Sequence, residues 1–412
     1  MPGPAESDLA VSGPLAGVRV VDCSTVLAGP YCTMLLADLG ADVIKVEPPE
    51  GDATRGWGPP WVGSPAEGTR TAAYYLAVNR NKRSIRLDLR TEAGREVLRR
   101  LLIGGDVVVE NFRAGGFERL GFGEDELRRL NPALVHLAIS GYGTHGPDAG
   151  KPGYDFIAQA VGGLMSITGE ADEAGGGPTK VGVAISDVVS GLFGTIAVLA
   201  GLLARPAAGG QRVDVSLLQS TLAVLVNQAQ NAFVTGSAPG RRGNAHPNIV
   251  PYETFATADG VIAVAIGSER QWPRFCDVVG LPDLAGDVRF ATNGDRVERR
   301  EELIPILTAR FATESSATWL ARLDAADVPA GPLLDVAEAF ATPQARAVRA
   351  RVPMTHPRLG AVDQVRSPFD FAATPATVRT PPPLLGEHSD EILSELGYDH
   401  AAITQLRSDG IV

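Results

Sequence analysis

The sequence predicts an α/β protein with a large, doubly wound domain and a smaller α+β domain. Its length of 412 residues exceeds the roughly 250–300 residues at which a single hydrophobic core stops growing. In the first third, short β-branched runs alternate with helical patterns, which is typical of βαβ units and a parallel sheet. At 236–243 the composition changes to Gly, Ser, Pro and Arg, and a hairpin pattern follows. We therefore expect two domains.

The first third contains strands joined by crossover helices. Pro30 opens the first helix and Gly40 ends it, while Thr91 is placed to cap a second helix that continues to Leu102. The predicted strands are Val18–Cys23, Asp42–Glu47, Ser84–Asp88, Asp106–Glu110 and Leu134–Ile139. This pattern predicts a Rossmann-like sheet with helices on both faces.

The second part of the chain begins with a hairpin and continues with helices. The turn Ala258-Asp259-Gly260 separates two β patterns, and helices are predicted at Gln271–Val279, Arg299–Phe311 and Ala317–Ala325. Two capped helices, Ser389–Leu396 and Asp399–Leu406, are predicted at the end. The expected domains are a flexible tail (1–13), a large α/β domain (14–225), a linker (226–250), a small α+β domain (251–327), a return linker (328–380) and C-terminal helices that complete the large domain (381–412).

Composition and charge exclude several classes of protein. Three cysteines without a C-x-x-C pair favour a reducing, cytoplasmic location and argue against structural zinc. A net charge of −11 argues against a nucleic-acid partner. No secretory signal is recognisable in the first residues. The apolar stretch Val188–Ala204 is marginal for a membrane span and is better interpreted as a buried core helix, so no membrane partner is expected.

Several motifs leave structural and functional interpretations open. The G-x-G-x-x-G pattern at 141–146 is followed by Pro147, which favours a turn-rich loop over a dinucleotide site. The basic cluster at 79–84 is either a phosphate site or a solvated turn. Asp187 precedes an apolar helix, where it fits either an N-cap or a functional carboxylate. His246 lacks a partner at metal-ligand spacing, so no metal site is predicted.

Taken together, the motifs resemble the family III CoA-transferases (CaiB/BaiF type), which include formyl-CoA:oxalate CoA-transferase and the related α-methylacyl-CoA racemases. The resemblance runs nearly end to end. It is carried by the landmarks Leu15–Asp22, Ala28–Pro30, Gly40–Pro48, Asn81–Ser84, Val109–Phe112, Asn131–Pro132, Ser140–Gly143, Gly162–Met165, Ser186–Asp187, Gly210–Asp214 and Pro383–His388.

The resemblance implies that Asp187 is a catalytic nucleophile rather than only a cap. In this family the aspartate attacks the donor thioester, the resulting anhydride captures CoA thiolate, and the acceptor acid reverses the sequence from the aspartyl-CoA thioester. A CoA thioester is thus a substrate, and no tightly bound cofactor or metal is implied. Backbone N–H groups are the expected donors to the oxyanion.

The resemblance also assigns the other candidate site residues. Asp155 and Tyr154 are expected in the catalytic site, Asp155 beside the nucleophile and Tyr154 at a position that contacts CoA, and Arg55 and Trp57 are expected beside the acyl group. The expected CoA contacts are Leu27, Ala28, Leu87, Arg90, Asn111, Phe112, Arg113 and Arg119. The arginine that commonly holds the nucleotide phosphates is replaced here by Pro48-Pro49, so Lys82, Arg83 or Arg113 is expected to take that role.

Two departures indicate the subfamily. Racemases carry a histidine at the position of Tyr154, and a phenol with a pKa near 10 is a poor base, so racemisation is disfavoured. The long glycine-run loop of the oxalate enzymes is also missing, and the stretch 243–252, which contains His246, stands in its place and is similar to that of succinyl-CoA:glutarate-type and related dicarboxylate CoA-transferases. Arg241 or Arg242 could pair with a distal carboxylate. The predicted function is CoA transfer from a donor such as succinyl-CoA to a dicarboxylate; the alternatives are a racemase-type isomerase or a non-catalytic acyl-CoA binding protein.

The resemblance further implies a quaternary structure. Members of the family form intertwined homodimers, in which each ring-shaped chain passes through its partner. The long returns near 226–250 and 328–380 fit that arrangement.

Overall fold

The computed structural model describes residues 13–412, so nearly all of the predicted tail lies outside the described residues. Within this range the chain forms two compact units. The larger comprises residues 13–164, Val181–Ala229 and Gln344–Val412, and the smaller comprises Met165–Lys180 and Gln230–Pro343.

The strands and helices are as follows. The strands are β1 Arg19–Asp22, β2 Asp42–Glu47, β3 Trp61–Val62, β4 Thr71–Ala72, β5 Lys82–Arg86, β6 Val107–Glu110, β7 Val135–Ser140, β8 Arg212–Ser216, β9 Tyr252–Ala256, β10 Val261–Ala265, β11 Ala330–Pro332, β12 Arg351–Val352, β13 Thr355–His356, β14 Gly360–Ala361 and β15 Gln364–Val365. The helices are α1 Ala28–Asp38, α2 Ala73–Leu76, α3 Glu92–Ile103, α4 Gly116–Arg119, α5 Glu124–Leu130, α6 Asp155–Val161, α7 Ile185–Ala208, α8 Leu217–Ala223, α9 Val226–Thr235, α10 Gln271–Val278, α11 Asp283–Gly286, α12 Asn293–Glu298, α13 Arg300–Phe311, α14 Ser316–Ala325, α15 Val336–Ala341, α16 Pro343–Ala347, α17 Ser389–Glu395 and α18 His400–Ser408.

The larger unit contains a parallel sheet of six strands in the order β5-β2-β1-β6-β7-β8. The five predicted strands are confirmed with bounds shifted by a residue or two, whereas β8 was not predicted as a strand. The order is that of a doubly wound Rossmann-type sheet. The chain adds β2 and β5 on one side of β1 and then adds β6, β7 and β8 on the other side, so the strand order reverses between β1 and β6. In such sheets, ligands bind outside the carboxyl ends of the strands at the reversal.

Helices cover both faces of this sheet. On one face, α1 and α7 pack through residues such as Leu36 and Val198 against Val20 and Leu137. On the other face, α3, α5, α17 and α18 enclose a second apolar layer, to which Leu98, Leu127, Ile392 and Ile403 contribute. The predicted α/β class is therefore confirmed, and the C-terminal helices pack against the sheet as part of the hydrophobic core of the larger unit.

Helix α7 has two different faces. Its buried face is made of small residues, including Gly191, and a Cβ placed there would lie 2.7 Å from the carbonyl oxygen of Ala28 in α1. The opposite face leaves large apolar side chains exposed: Leu192, Phe193, Ile196 and Leu203. The helix is long and apolar enough to cross a membrane by length and composition, and only 33% of its most apolar window is buried. The expectation of a buried core helix therefore holds for one face only.

The smaller unit has its own core. The strands β9, β10 and β11 form an antiparallel sheet in which β9 and β10 are the predicted hairpin. Helices α10, α13 and α14 pack on it through Trp272, Phe311 and Trp319. The three predicted helices of this region are confirmed.

Candidate active site

A pocket of about 190 Å³ lies where the sheet order reverses, at the carboxyl ends of β1 and β6. The loop after β1 contributes Thr25–Ala28, and the loop after β6 contributes Asn111–Ala114. The turn-rich segment after β7 adds Tyr154, and α7 adds Asp187. The structure thus brings together the predicted residues Leu27, Ala28, Asn111, Phe112, Arg113, Tyr154 and Asp187.

Asp187 is the third residue of α7 and is not its N-cap. The N-cap position belongs to Ala184, whose side chain makes no capping bond. Instead, the Ser186 N–H donates to Oδ1 of Asp155 at 2.7 Å. The capping interpretation of Asp187 is therefore wrong, because Asp155 satisfies this end of the helix.

The Asp187 carboxyl is electrostatically perturbed. Burial raises its pKa to about 7, and the nearby Asp155 carboxylate acts in the same direction. Within residues 13–412 no group forms a hydrogen bond or ion pair with the Asp187 side chain. A carboxyl group with a strongly raised pKa in a cleft is a candidate reactive group.

Asp155 itself is held in place by a short network. Its Oδ2 accepts a hydrogen bond from Gln159 Nε2 at 2.7 Å. Gln159 Oε1 in turn accepts from the Val181 N–H at 2.9 Å. Asp155 thereby ties α6 to the start of α7, while its neighbour Tyr154 remains exposed at the edge of the pocket.

Asn111 joins the two loops that form the pocket. Its Oδ1 accepts from the Thr25 N–H at 2.9 Å, and its Nδ2 donates to the Thr25 carbonyl at 2.7 Å. The side chain was predicted as a CoA contact, but both ends of its amide are used by this backbone clamp. Phe112, which follows it, donates its N–H to Glu110 at 2.7 Å.

A second pocket of about 240 Å³ adjoins the first and shares Thr25 and Phe112 with it. Leu87 and Arg90, both predicted CoA contacts, line this pocket. Pro48 and Pro49, which replace the arginine expected there, also line it. The predicted CoA residues thus form two neighbouring groups along the carboxyl edge of the sheet.

Three of the predicted cationic residues have structural partners. Lys82 is fully buried, and its Nζ donates to Asp22, Asn79 and the Pro30 carbonyl at 2.9–3.0 Å. Arg83 pairs with Asp42, Glu391 and Glu395. Arg55 pairs with buried Glu47 and also donates to Tyr75 and the Pro383 carbonyl.

None of these three lines either pocket, because each guanidinium or ammonium is committed to neighbouring acceptors. Arg119 also lies outside both pockets and donates to the Ala114 carbonyl. Of the residues expected to take the phosphates, the structure leaves Arg113, which is exposed in the main pocket.

Two residues of this region were missed by the sequence analysis. The ring of Tyr74 packs edge-on against Trp57, with centroids 5.3 Å apart. Burial, followed by the charges of Asp187 and Asp155, raises the pKa of Tyr74 to about 12, so this phenol lies close to the candidate nucleophile and stays protonated. Lys151 lines the pocket and pairs with Asp148. Neither residue belongs to a motif that could have identified it.

The smaller unit contains the other predicted substrate residues. Arg241 pairs with Asp172 and is therefore engaged. Arg242 is exposed, and its charge contributes, after burial, to lowering the pKa of Arg300. His246 packs against Tyr252 with ring centroids 5.1 Å apart. Within residues 13–412 no group of three or more His, Cys, Asp or Glu side chains is arranged to hold a metal ion.

A family model described as CoA-transferase family III matches residues 15–389 of the chain. The chain belongs to this family. The family III chain is 44% identical over 385 residues to a succinate–glutarate CoA-transferase of Agrobacterium fabrum, covering 93% of this chain and 96% of the relative. It is 40% identical to the human succinyl-CoA:glutarate CoA-transferase, covering 100% of this chain and 92% of that protein.

A solved structure agrees with the family assignment. A CAIB/BAIF family protein from Brucella suis is 43% identical and superposes with a TM-score of 0.82, over 93% of this chain and 100% of that one. The resemblance stated from the sequence is therefore confirmed. The family III chain is an enzyme, a CoA-transferase, whose substrates include a CoA thioester.

Proposed function

We propose that the enzyme transfers CoA from succinyl-CoA to a dicarboxylic acid through an aspartyl-CoA thioester on Asp187. The observation that carries the proposal is the Asp187 carboxyl in the pocket, which has a pKa of about 7 and forms no hydrogen bond or ion pair within residues 13–412. Little solvation or pairing has to be removed before such a carboxylate attacks a thioester carbonyl. The names of the relatives, which specify succinate or succinyl-CoA and glutarate, support this substrate class.

In the proposed reaction, one Asp187 oxygen adds to the thioester carbonyl, and collapse of the tetrahedral adduct expels CoA thiolate. The thiolate then attacks the Asp187 carbonyl of the mixed anhydride, which releases succinate and forms the aspartyl-CoA thioester. The acceptor carboxylate repeats both steps in the reverse direction and restores the Asp187 carboxylate. Each step exchanges one acyl bond for another, so no external reactant is consumed.

The pocket residues have separate proposed roles. Leu27, Ala28 and Phe112 would contact the pantetheine arm, and Arg113 would attract the CoA phosphates. Leu87 and Arg90 would lie against the nucleotide in the second pocket. Tyr74, whose raised pKa keeps its phenol protonated near neutral pH, would donate a hydrogen bond to the acyl group or its oxyanion, and the Tyr154 hydroxyl would do the same from the edge of the pocket. Exclusion of water from this site would protect the anhydride from hydrolysis.

The test of this function compares acceptors of equal length. With succinyl-CoA as donor, glutarate should be converted to its CoA thioester at least about 100-fold faster than pentanoate, because the methyl group of pentanoate cannot pair with a cation that binds the distal carboxylate. Product CoA thioesters are measured by mass spectrometry. Equal rates would contradict a dicarboxylate site. Solvent deuterium entering the α-position of an acyl-CoA without CoA transfer would support an isomerase instead.

We propose Arg242 as the residue that binds the distal carboxylate. Replacing Arg242 by alanine should reduce the rate with glutarate by about 100-fold and leave the rate with pentanoate nearly unchanged. Arg241→Ala is the matched control, because Arg241 already pairs with Asp172 and should not affect the preference. Equal losses with both acceptors would exclude Arg242 from substrate selection.

We also propose that the enzyme is a homodimer. The exposed apolar face of α7, with Ile196 62% and Leu203 84% accessible, is an unusual surface for an isolated chain. Light scattering should give about twice the chain mass of 43.1 kDa. Ile196→Glu with Leu203→Glu should shift this value toward that of one chain. A wild-type protein with the mass of a single chain would contradict the proposal.

A further inference from the structure

The loop between β1 and α1 is bound by side chains from several parts of the larger unit, of which Asp22, Lys45 and Asp52 are buried and Asn111 is half-buried. Oδ1 of Asp22 accepts from the Ser24 N–H at 3.0 Å, and Lys45 Nζ donates to the Ser24 carbonyl at 3.0 Å. Asn111 binds both the N–H and the carbonyl of Thr25. The carboxylate of Asp52 accepts from the Val26 N–H at 3.3 Å. A loop normally satisfies these groups with water or backbone, so this concentration of side-chain partners calls for an explanation.

The loop conformation is strained at Val26. Its φ of 71° lies in the left-handed region, where a β-branched residue is a clear outlier. Such a conformation persists only where the surroundings fix it, and strained residues cluster at functional sites. Thr25, Val26, Leu27 and Ala28 all line the pocket that contains Asp187. The strain therefore lies at the pocket wall.

Two of the residues that bind the loop form an ion pair with each other. Lys45 Nζ lies 3.0 Å from Asp52 Oδ2, and both side chains are fully buried. Burial opposes both charged forms, but their mutual attraction keeps the pKa of Lys45 above its usual value and that of Asp52 below it. Both groups thus remain charged. A buried pair adds little net stability compared with apolar side chains, so stability alone does not account for it.

We propose that Lys45 and Asp52 are positioning residues for CoA transfer, whose ion pair holds the loop Ser24–Ala28 in the strained conformation that lines the Asp187 pocket. Lys45 fixes the Ser24 carbonyl and Asp52 fixes the Val26 N–H, so the pair grips the loop on both sides of Thr25. The kinetic part of this inference rests on the proposed function. The structural part, the strained loop held by the pair, can be tested without activity.

The test uses Lys45→Met with Asp52→Asn, which removes both charges and approximately preserves the volume. Amide hydrogen exchange in peptides covering residues 24–28 should become at least about tenfold faster than in the wild type. At a temperature well below unfolding, kcat/KM for succinyl-CoA should fall by about 100-fold, because a displacement of about 1 Å at a reaction site has an effect of that size. Unchanged exchange and unchanged kcat/KM would overturn the proposal.

The matched control is a buried ion pair that does not bind the loop. Arg80 Nη2 lies 2.6 Å from Asp38 Oδ2, with side chains 4% and 0% exposed, and neither side chain forms a hydrogen bond with residues 24–28. Arg80→Met with Asp38→Asn should lower the melting temperature without changing exchange in residues 24–28 or kcat/KM. Equal kinetic losses in both double variants would show that the Lys45–Asp52 pair is merely structural.

Strain gives a second, independent test. Glycine adopts the conformation of Val26 without a steric cost, so the loop should depend less on the ion pair when residue 26 is glycine. In a Val26→Gly background, the double substitution at 45 and 52 should again accelerate exchange and lower kcat/KM, but each fold-change should be at least tenfold smaller than in the wild type. The same cost in both backgrounds would overturn the proposal.

Two further measurements keep the outcomes distinct. If the double variant does not fold, Asp52→Asn alone, which keeps an oxygen for the Val26 N–H, should still accelerate exchange several-fold, and unchanged exchange would overturn the proposal. Calorimetric titration with free CoA should show weaker binding in the double variant. A wild-type protein that binds CoA but transfers none would refute the proposed function, while the exchange results would still decide the role of the pair.

Discussion

Replacing Asp187 by alanine is expected to lower the rate of CoA transfer by about 10⁴-fold or more, because it removes the carboxylate on which the proposed acyl intermediate forms. In the wild type mixed with succinyl-CoA, trapping with hydroxylamine or borohydride should modify Asp187. Mass spectrometry of the intact protein and of its peptides would locate the modification. The alanine variant should remain unmodified and still bind free CoA. A modification elsewhere, or substantial activity in the variant, would contradict the proposed mechanism.

The loss of activity should not come from unfolding. The folded Asp187 has a pKa of about 7, against 3.8 for an ordinary aspartate, so the folded protein binds more protons between these values. Stability therefore falls as the pH rises from about 4 to 7, and the cost is complete above about 7. Asp187→Asn removes this cost and should stabilise the protein by up to about 4 kcal/mol at pH 8, with little effect at pH 4. Thermal unfolding at the two pH values measures the difference.

The second large effect is expected in the pH dependence of the wild type. Because the nucleophile must be ionised, kcat/KM should fall about tenfold per pH unit below about 7, and at pH 5 should be about 100-fold below its plateau. Rates measured between pH 5 and 8.5, on protein shown to be folded at each value, would define this acidic limb of the pH–rate profile. A flat profile over that range would contradict a nucleophile with a raised pKa.

Asp155→Asn should move this limb to lower pH, because it removes the negative charge that opposes ionisation of Asp187. The limb should stay well above pH 3.8, since burial is the larger cause of the raised pKa. Asp148→Asn is the matched control: this carboxylate pairs with Lys151 beside the pocket and is not among the causes of the Asp187 shift. An equal displacement of the limb in both variants would show that Asp155 has no specific role.

The sheet was predictable from the sequence because its strands carry local signals. Runs such as Asp42–Glu47 are apolar and β-branched, and Pro30, Gly40 and Thr91 mark helix ends by rules that depend on neighbouring residues alone. The Thr91 side chain does accept the Gly94 N–H as an N-cap should. Strand β8 was missed because Asp214 interrupts its apolar pattern and the helical pattern after it dominates the window.

The site was only partly predictable because its electrostatics depend on distant partners. The cluster at 79–84 gave no indication that Lys82 would bond to Asp22 or Arg83 to Asp42, which lie 60 and 41 residues away. For the same reason Asp155, 31 residues before Ser186, could not be recognised as the group that caps α7. Family resemblance pointed to Asp187, but its raised pKa, which comes from burial and a neighbouring carboxylate, could be recognised only in the folded structure.

The glycine face of α7 has a consequence for how the chain can change over evolutionary time. At Gly191 even one methyl group would press on the Ala28 carbonyl, and at Gly194 and Gly201 it would press on Leu137 and Val135 of β7. Backbone at Ala28 cannot yield without moving the pocket wall. Almost every substitution on this face would therefore disturb the spacing between Asp187 and the loop, so this face can change little over evolutionary time.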